Sequence, residues 1–189
     1  MKLGALNIQD TIKSKKTGIL GRWREQVFAS YPPERTQFLK TKNDPFGNPV
    51  GFRINEGLEG IFDALFGKGT DEEIPRFLDD IIRIRAVQEF SPSEAVDFLF
   101  VLKDVIREEL EKEVRDGEIP PDWRELDRRI DRLALAGFEL YAQCREKLFE
   151  IRVQEVKNLS YLAMKRANLV CDISEVDPRA DTGDAEDGE

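Results

Sequence analysis

The 189-residue chain contains no histidine and only two cysteines, and each scarcity closes a class of function. Without imidazole there is no Ser-His or Cys-His catalytic pair, no His-ligated haem, no His phosphorelay acceptor and no imidazole ligand for zinc or iron. Two cysteines alone do not make a structural zinc site. Cys144 and Cys171 fall in what reads as nearly continuous helix, where 27 residues at ~1.5 Å each set them roughly 40 Å apart, beyond disulfide reach. Separate thiols in a reducing compartment are expected. No apolar run approaches the ~20 residues that cross a bilayer and no signal-peptide pattern follows Met1, so a soluble, cytoplasmic protein without membrane insertion is expected. A phosphate loop is missing too. GKGT at 67–70 lacks the upstream glycine of a P-loop and follows a helix, so it reads as a helix C-terminal glycine with Thr70 capping the next helix.

What is present points to helix. Charged residues make up 35% of the chain, Leu and Ala recur at helical spacing, and strand-like alternation is rare, so the expected fold class is all-α. The length suits one domain that buries roughly 70% of the surface its unfolded chain exposes. The net charge of −9 is unevenly placed: residues 1–42 hold nine Lys/Arg against three Asp/Glu, and residues 172–189 hold eight acids against Arg179 alone. The acidic body argues against a nucleic-acid groove. Carboxylates are plentiful, but their spacing beside Lys and Arg is that of solvated helix faces. No nucleophile–base pair or metal set can be written down, so no enzyme activity and no cofactor are expected.

Along the chain, residues 1–17 form a basic, weakly patterned segment that either frays or docks late. Periodicity predicts a helix over 18–30 with Leu20, Trp23, Val27 and Phe28 buried, ended by Tyr31-Pro32-Pro33. Residues 42–51 read as a loop. A second helix over 52–66 buries Ile54, Leu58, Ile61, Phe62 and Leu65. A third, capped by Thr70 or Asp71 and running through Pro75 to about Gln88, buries Phe77, Leu78, Ile81, Ile82 and Ile84. Ser91-Pro92-Ser93-Glu94 is a capping box with proline at the first helical position. It opens a fourth helix to about Arg115, with Val96, Leu99, Phe100, Lys103, Ile106, Leu110 and Val114 in register. Asp116-Gly117 and Pro120-Pro121-Asp122 separate it from a long fifth helix. There Leu126, Ile130, Leu133, Gly137, Leu140, Cys144 and Ile151 make a four-three seam. Beyond Ile151 the seam shifts to Val156, Leu159, Ala163 and Val170, which implies a bend, a register change or a separate helix. Two readings of the seam stand side by side, an antiparallel bundle with a bent last helix and a dimer built along it. Residues 172–189 read as a disordered acidic tail, either simply solvated or a docking peptide. The expected organisation is a basic segment 1–17, a bundle of about five to six helices over 18–171, and the tail.

Trp23 in an opening helix, DPFGNPVG at 44–51 leading into INEGLEGIFDALF at 54–66, and IRIRAVQEFSPSEAVDFLFVLK at 82–103 together resemble the RsbT co-antagonist RsbRD amino-terminal domain family, over roughly residues 18–150. The resemblance implies an all-helical sensory or regulatory module of signalling and stress response, with a globin-like arrangement possible by analogy with other stressosome amino-terminal domains. No STAS output region follows, which favours a standalone regulatory or adaptor role. The loop residues Asp44, Pro45, Phe46, Asn48, Pro49 and Gly51 are expected to be structural, setting helix-entry geometry, and Trp23 and Trp123 to be core or interface anchors.

Arg83, Arg85 and Gln88 are the candidate partner or ligand surface. They sit in a helix apolar nearly all round, so they either pair within the chain, with Asp44, Glu56 or Glu94, or present a recognition face. Arg85 and Gln88, three residues apart, are favoured for recognition because a guanidinium can grip a carboxylate or phosphate with two bonds. The leading expectation is a non-enzymatic, cytoplasmic, homodimeric regulator that binds an unidentified protein. The alternative is an accessory subunit that docks on a larger, redox-type complex through its basic head and acidic tail.

Overall fold

The structure is a computed structural model that describes residues 8–41, 44–67, 69–70, 72–111 and 122–169. Among the described residues there are seven helices and no strand: α1 (Ile8–Ser14), α2 (Lys16–Ala29), α3 (Pro33–Thr41), α4 (Pro49–Phe66), α5 (Ile74–Val87), α6 (Pro92–Glu111) and α7 (Trp123–Arg166). No helix among them is long and apolar enough to cross a membrane. Two compact units divide at Glu146, Met1–Glu146 and Lys147–Glu189. The corners at 116–117 and 120–121, Val114, Val170, Cys171 and the acidic tail lie outside the described residues.

Two helices go beyond the periodicity reading. In α1, Ile8 and Ile12 stand one turn apart and both are buried in the core; seven residues are too few to show a helical period. Helix α3 begins at Pro33, so the Pro-Pro pair that stops α2 also supplies the proline that favours a first helical position. The Thr36 hydroxyl then lies 2.9 Å from both the Phe28 and Tyr31 carbonyls and shares its one hydrogen between them, acceptors that the end of α2 leaves over.

The core of the first unit forms where α2, α4, α5 and α6 meet. Helix α4 approaches α5 closely because it carries glycine at 57 and 60. A Cβ on Gly60 would lie 2.6 Å from the Phe77 ring, and one on Gly57 2.8 Å from the Ile81 side chain. Trp23 and Trp123 are both buried in this unit. The Trp23 indole N–H donates to the Phe98 carbonyl at 2.6 Å and its ring stacks on Phe98. On α6 the buried phenylalanine is Phe98, while Phe100, expected inside, is exposed under Lys103. Lys103 bridges to Asp127 at 2.9 Å and Asp131 at 2.6 Å on α7, so its in-register position ties two helices rather than filling the core.

Within the first unit α7 lays Trp123, Leu126, Ile130, Ala134, Gly137 and Tyr141 into the core, with Leu133, Leu140 and Cys144 packed half-buried against it. Leu126, Ile130 and Gly137 of the seam are therefore packed against the chain's own domain. Helix α7 continues unbroken through Ile151, so the seam shift there does not start a separate helix.

The start of α6 forms as its four residues dictate. The Ser91 N–H donates to the Glu94 carboxylate at 2.9 Å, the Ser91 hydroxyl to the same oxygen at 2.7 Å, and the Glu94 N–H to Ser91 Oγ at 3.4 Å. These bonds hold the Glu94 carboxyl below its ordinary value. Ser91→Ala is expected to cost about 0.5–2 kcal/mol in denaturant unfolding at neutral pH. A carboxyl whose folded pKa is depressed stabilises above its unfolded pKa and loses that contribution as pH falls through the folded one. The gap between wild type and Ser91→Ala should therefore narrow below the usual carboxylate range, and a gap that widens in acid would refute this cap. The start of α5 differs from expectation. Its N-cap is Glu73, not Thr70, and the Glu73 carboxylate accepts the Thr70 N–H at 3.1 Å.

Candidate functional site

The three polar residues of α5 separate in space. Arg83 is exposed and its Nε donates to Asp79 at 2.6 Å, one turn back on the same helix. That carboxylate raises the Arg83 pKa. Gln88, the C-cap residue, is half-buried. Arg85 is 1% exposed. The expectation that Arg85 serves a surface is thus overturned, because its guanidinium points into the core between α2, α5 and α6.

Local geometry builds its surroundings. Helix α5 ends in a Schellman turn: the Phe90 N–H donates to the Arg85 carbonyl at 3.2 Å and the Glu89 N–H to Ala86 at 3.3 Å, with Glu89 in the left-handed region at φ 63°. This turn delivers the Phe90 ring to 5.0 Å from the Arg85 guanidinium carbon, and the Tyr141 hydroxyl holds the Phe90 carbonyl at 2.5 Å. The Tyr31 ring, at the end of α2, lies 5.6 Å from the same carbon and Phe98 5.2 Å. Tyr31 meets Phe90 edge-on at 5.0 Å. Three ring faces around one desolvated cation is the arrangement in which cation–π attraction is strongest.

The polar contacts of Arg85 go to neutral oxygens. One terminal nitrogen donates to the Glu94 backbone carbonyl at 2.6 Å and the other to the Ser30 hydroxyl at 3.2 Å. No carboxylate pairs with it among the described residues, so the expected partners Asp44, Glu56 and the Glu94 side chain do not hold it. Arg85 Nε, Tyr31 Oη and Gln88 Oε1 are buried without a hydrogen-bond partner. Burial lowers the Arg85 pKa, opposed by Tyr31 and by the more distant charges of Asp97 and Glu94, and burial raises the Tyr31 phenol. Desolvation dominates in both.

The loop expected to be structural divides in two. Asn48 is 1% exposed. Its Oδ1 caps α4 by accepting the Gly51 N–H at 2.9 Å, with Pro49 at the first helical position. Its Nδ2 donates to the carbonyls of Leu39 at 3.0 Å and Phe38 at 3.2 Å, the end of α3. One amide thus closes one helix and opens the next. A Cβ on Gly51 would collide with that amide. Asp44 shapes the turn: its carboxylate accepts the Phe46 N–H at 3.0 Å and its carbonyl the Asn48 N–H at 2.9 Å. Pro45 is exposed on the turn, and Phe46 is 94% exposed.

A groove of about 570 Å³ also opens in the first unit, with Leu65, Ile74, Leu78, Leu133 and Leu140 among its walls and exposed Arg132, Glu139 and Gln143 beside them. No sequence signal pointed to it, since its walls come from three helices far apart in the chain. Cys144 is a half-buried free thiol whose pKa burial raises, the reverse of an activated nucleophile. Among the described residues no three His, Cys, Asp or Glu side chains converge on a metal position.

Fold and site define an all-helical domain organised around a caged cation. Residues 17–156 match the family model of the RsbT co-antagonist protein rsbRD N-terminal domain, and the chain belongs to that family. This family consists of regulatory domains and sets the chain in a context of signalling and stress regulation. The chain is also similar to an uncharacterized protein of Archaeoglobus fulgidus, 25% identical over 136 residues that cover 70% of this chain and 79% of that protein. No solved structure matches it.

Proposed function

We propose that the chain is a non-enzymatic, cytoplasmic regulatory or sensor-type domain that works by binding another protein of a signalling pathway, without a cofactor or nucleic acid. The family match over 17–156 carries this reading. With Arg85 withdrawn into the core, the recognition surface that remains at the end of α5 is Arg83, Val87 and Gln88. Val87 is 65% exposed beside the exposed Arg83, an apolar contact next to a cation. The loop residues Asp44, Asn48, Pro49 and Gly51 support the fold in this reading, and Pro45 and Phe46 ride on the turn they form.

A second reading, an adaptor subunit on a larger enzyme complex, is favoured by the basic 1–42 and acidic 172–189 segments. Affinity capture from native extract with the full chain separates the two. Recovery of kinases, phosphatases or other regulators is the expected result. Stoichiometric recovery of the subunits of a redox enzyme would favour the adaptor.

A further inference from the structure

The groove of about 570 Å³ in the first unit has an aliphatic floor. Leu65, Ile74 and Leu78 are at most 5% exposed, and Leu133 and Leu140 pack half-buried beside them. No aromatic side chain lines it among the described residues. Its α7 wall is formed by positions 129, 133, 136, 140 and 143, one face of the helix, and the span from Arg129 to Gln143 covers ~21 Å at ~1.5 Å per residue. The facing wall keeps the same order. The Arg129 guanidinium donates to the Leu65 carbonyl at 3.3 Å, whereas Leu78 lies farther along, 3.6 Å from where a Cβ on Gly137 would stand. The groove therefore has two unlike ends, Arg129 and Arg132 at one and Glu139 and Gln143 at the other. Arg132 pairs with Glu125 at 3.1 Å, but the two side chains are 68% and 63% exposed. An ion pair so exposed contributes little and exchanges readily for another carboxylate.

We propose that this groove binds an unesterified, single-chain aliphatic carboxylate, with the headgroup at Arg132 and the alkyl chain running over Leu133, Leu78 and Leu140. Size, shape and charge each select that occupant. The volume falls in the range of small-ligand sites, roughly 300–1,000 Å³, whose walls are mostly apolar with a few polar groups. A helix of the same length, ~10 Å across, displaces roughly 1,600 Å³ and could lay only an edge in the groove, whereas one alkyl chain enters it whole. Walls of leucine and isoleucine along ~21 Å suit an extended chain and offer no ring to stack on. The unlike ends fix the direction, because a guanidinium holds both oxygens of a carboxylate and Glu139 at the far end repels one. The inference concerns ligand binding alone and stands whether or not the α5 surface binds a signalling partner.

The test is calorimetric titration of the full chain with octanoate, decanoate and dodecanoate below their micelle concentrations. One site per chain is expected, with Kd falling by up to about fourfold for each added methylene. Dodecyltrimethylammonium should bind about tenfold more weakly than dodecanoate, although the net charge of −9 favours the cation. Arg132→Gln should weaken decanoate about tenfold and leave decanol unchanged. Ala136→Phe, at an exposed position, fills the groove and should abolish uptake of both at unchanged helix content. No binding at any chain length, an affinity flat in chain length, a decanoate affinity unmoved by Arg132→Gln, or uptake indifferent to Ala136→Phe would each overturn the proposal. So would binding to vesicles of anionic phospholipid without uptake of the soluble acids, which would make the groove a membrane contact. Loss of a protein partner or of a dimer in Ala136→Phe, with no acid bound by the wild type, would overturn it equally.

Discussion

Arg85→Ala is expected to lower unfolding free energy by about 2–5 kcal/mol, the range for truncating a large buried side chain. Two terms compete. Removing the guanidinium relieves the burial of a cation that has no carboxylate partner, which by itself stabilises. Against that, the space between the Tyr31, Phe90 and Phe98 rings empties, the cation–π attraction disappears, and the Glu94 carbonyl and Ser30 hydroxyl lose their donor. The cavity and lost contacts win for alanine. Arg85→Met separates the two terms, because it keeps most of the volume and a polarizable contact with the rings while deleting the charge. It is expected to stay within about 1–2 kcal/mol of wild type. Denaturant midpoints of both variants check this, and an unchanged midpoint for Arg85→Ala would put the guanidinium outside the core.

Asn48→Ala is the second large effect, about 2–4 kcal/mol, the sum of a lost N-cap and of the donor lost to the buried Leu39 carbonyl and the part-buried Phe38 carbonyl. Asn48→Asp is the sharper probe. It preserves the oxygen that caps α4 but turns a carboxylate toward the Leu39 and Phe38 carbonyls in a site with almost no solvent. The folded state then favours the protonated acid, so its pKa is raised above the unfolded value. Stability is retained below the unfolded pKa and lost as pH rises through the folded one. Asn48→Asp should therefore recover stability in acid while Asn48→Ala should not. Thermal midpoints of the two variants at neutral and acid pH measure the difference.

What the sequence made legible was local. The Ser91-Pro92-Ser93-Glu94 box states its own hydrogen bonds within four residues, whereas the helix read over 52–66 begins three residues earlier, at Pro49, because the Asn48 amide caps it there. The buried stripes of α2 and α4 follow from a period of 3.6, and that of α5 does so for Leu78, Ile81 and Ile82, while Phe77 and Ile84, expected inside, are half-buried. Illegible features depend on residues distant in the chain. Arg85 sits on an otherwise apolar helix, but whether it meets water or rings is decided by Tyr31 at the end of α2 and Phe98 on α6. The glycines at 57 and 60 read as helix weakeners until Phe77 and Ile81 are placed against them. The four-three seam of α7 announces a partner without saying whether that partner is the same chain. Its first half packs against α5 and α6 of the same chain, with Gly137 set against Leu78, Ile82 and Val96.

The central claim is that recognition belongs to exposed Arg83 and Val87 while caged Arg85 serves the fold. Quantitative affinity capture from native extract with three baits tests it most directly: wild type, Arg83→Glu combined with Val87→Asp, and Arg85→Met. The surface pair is expected to keep its melting temperature within a few degrees and to lose most of the captured partner, whereas Arg85→Met should capture as wild type does. Full capture by the surface pair together with loss by Arg85→Met would contradict the account.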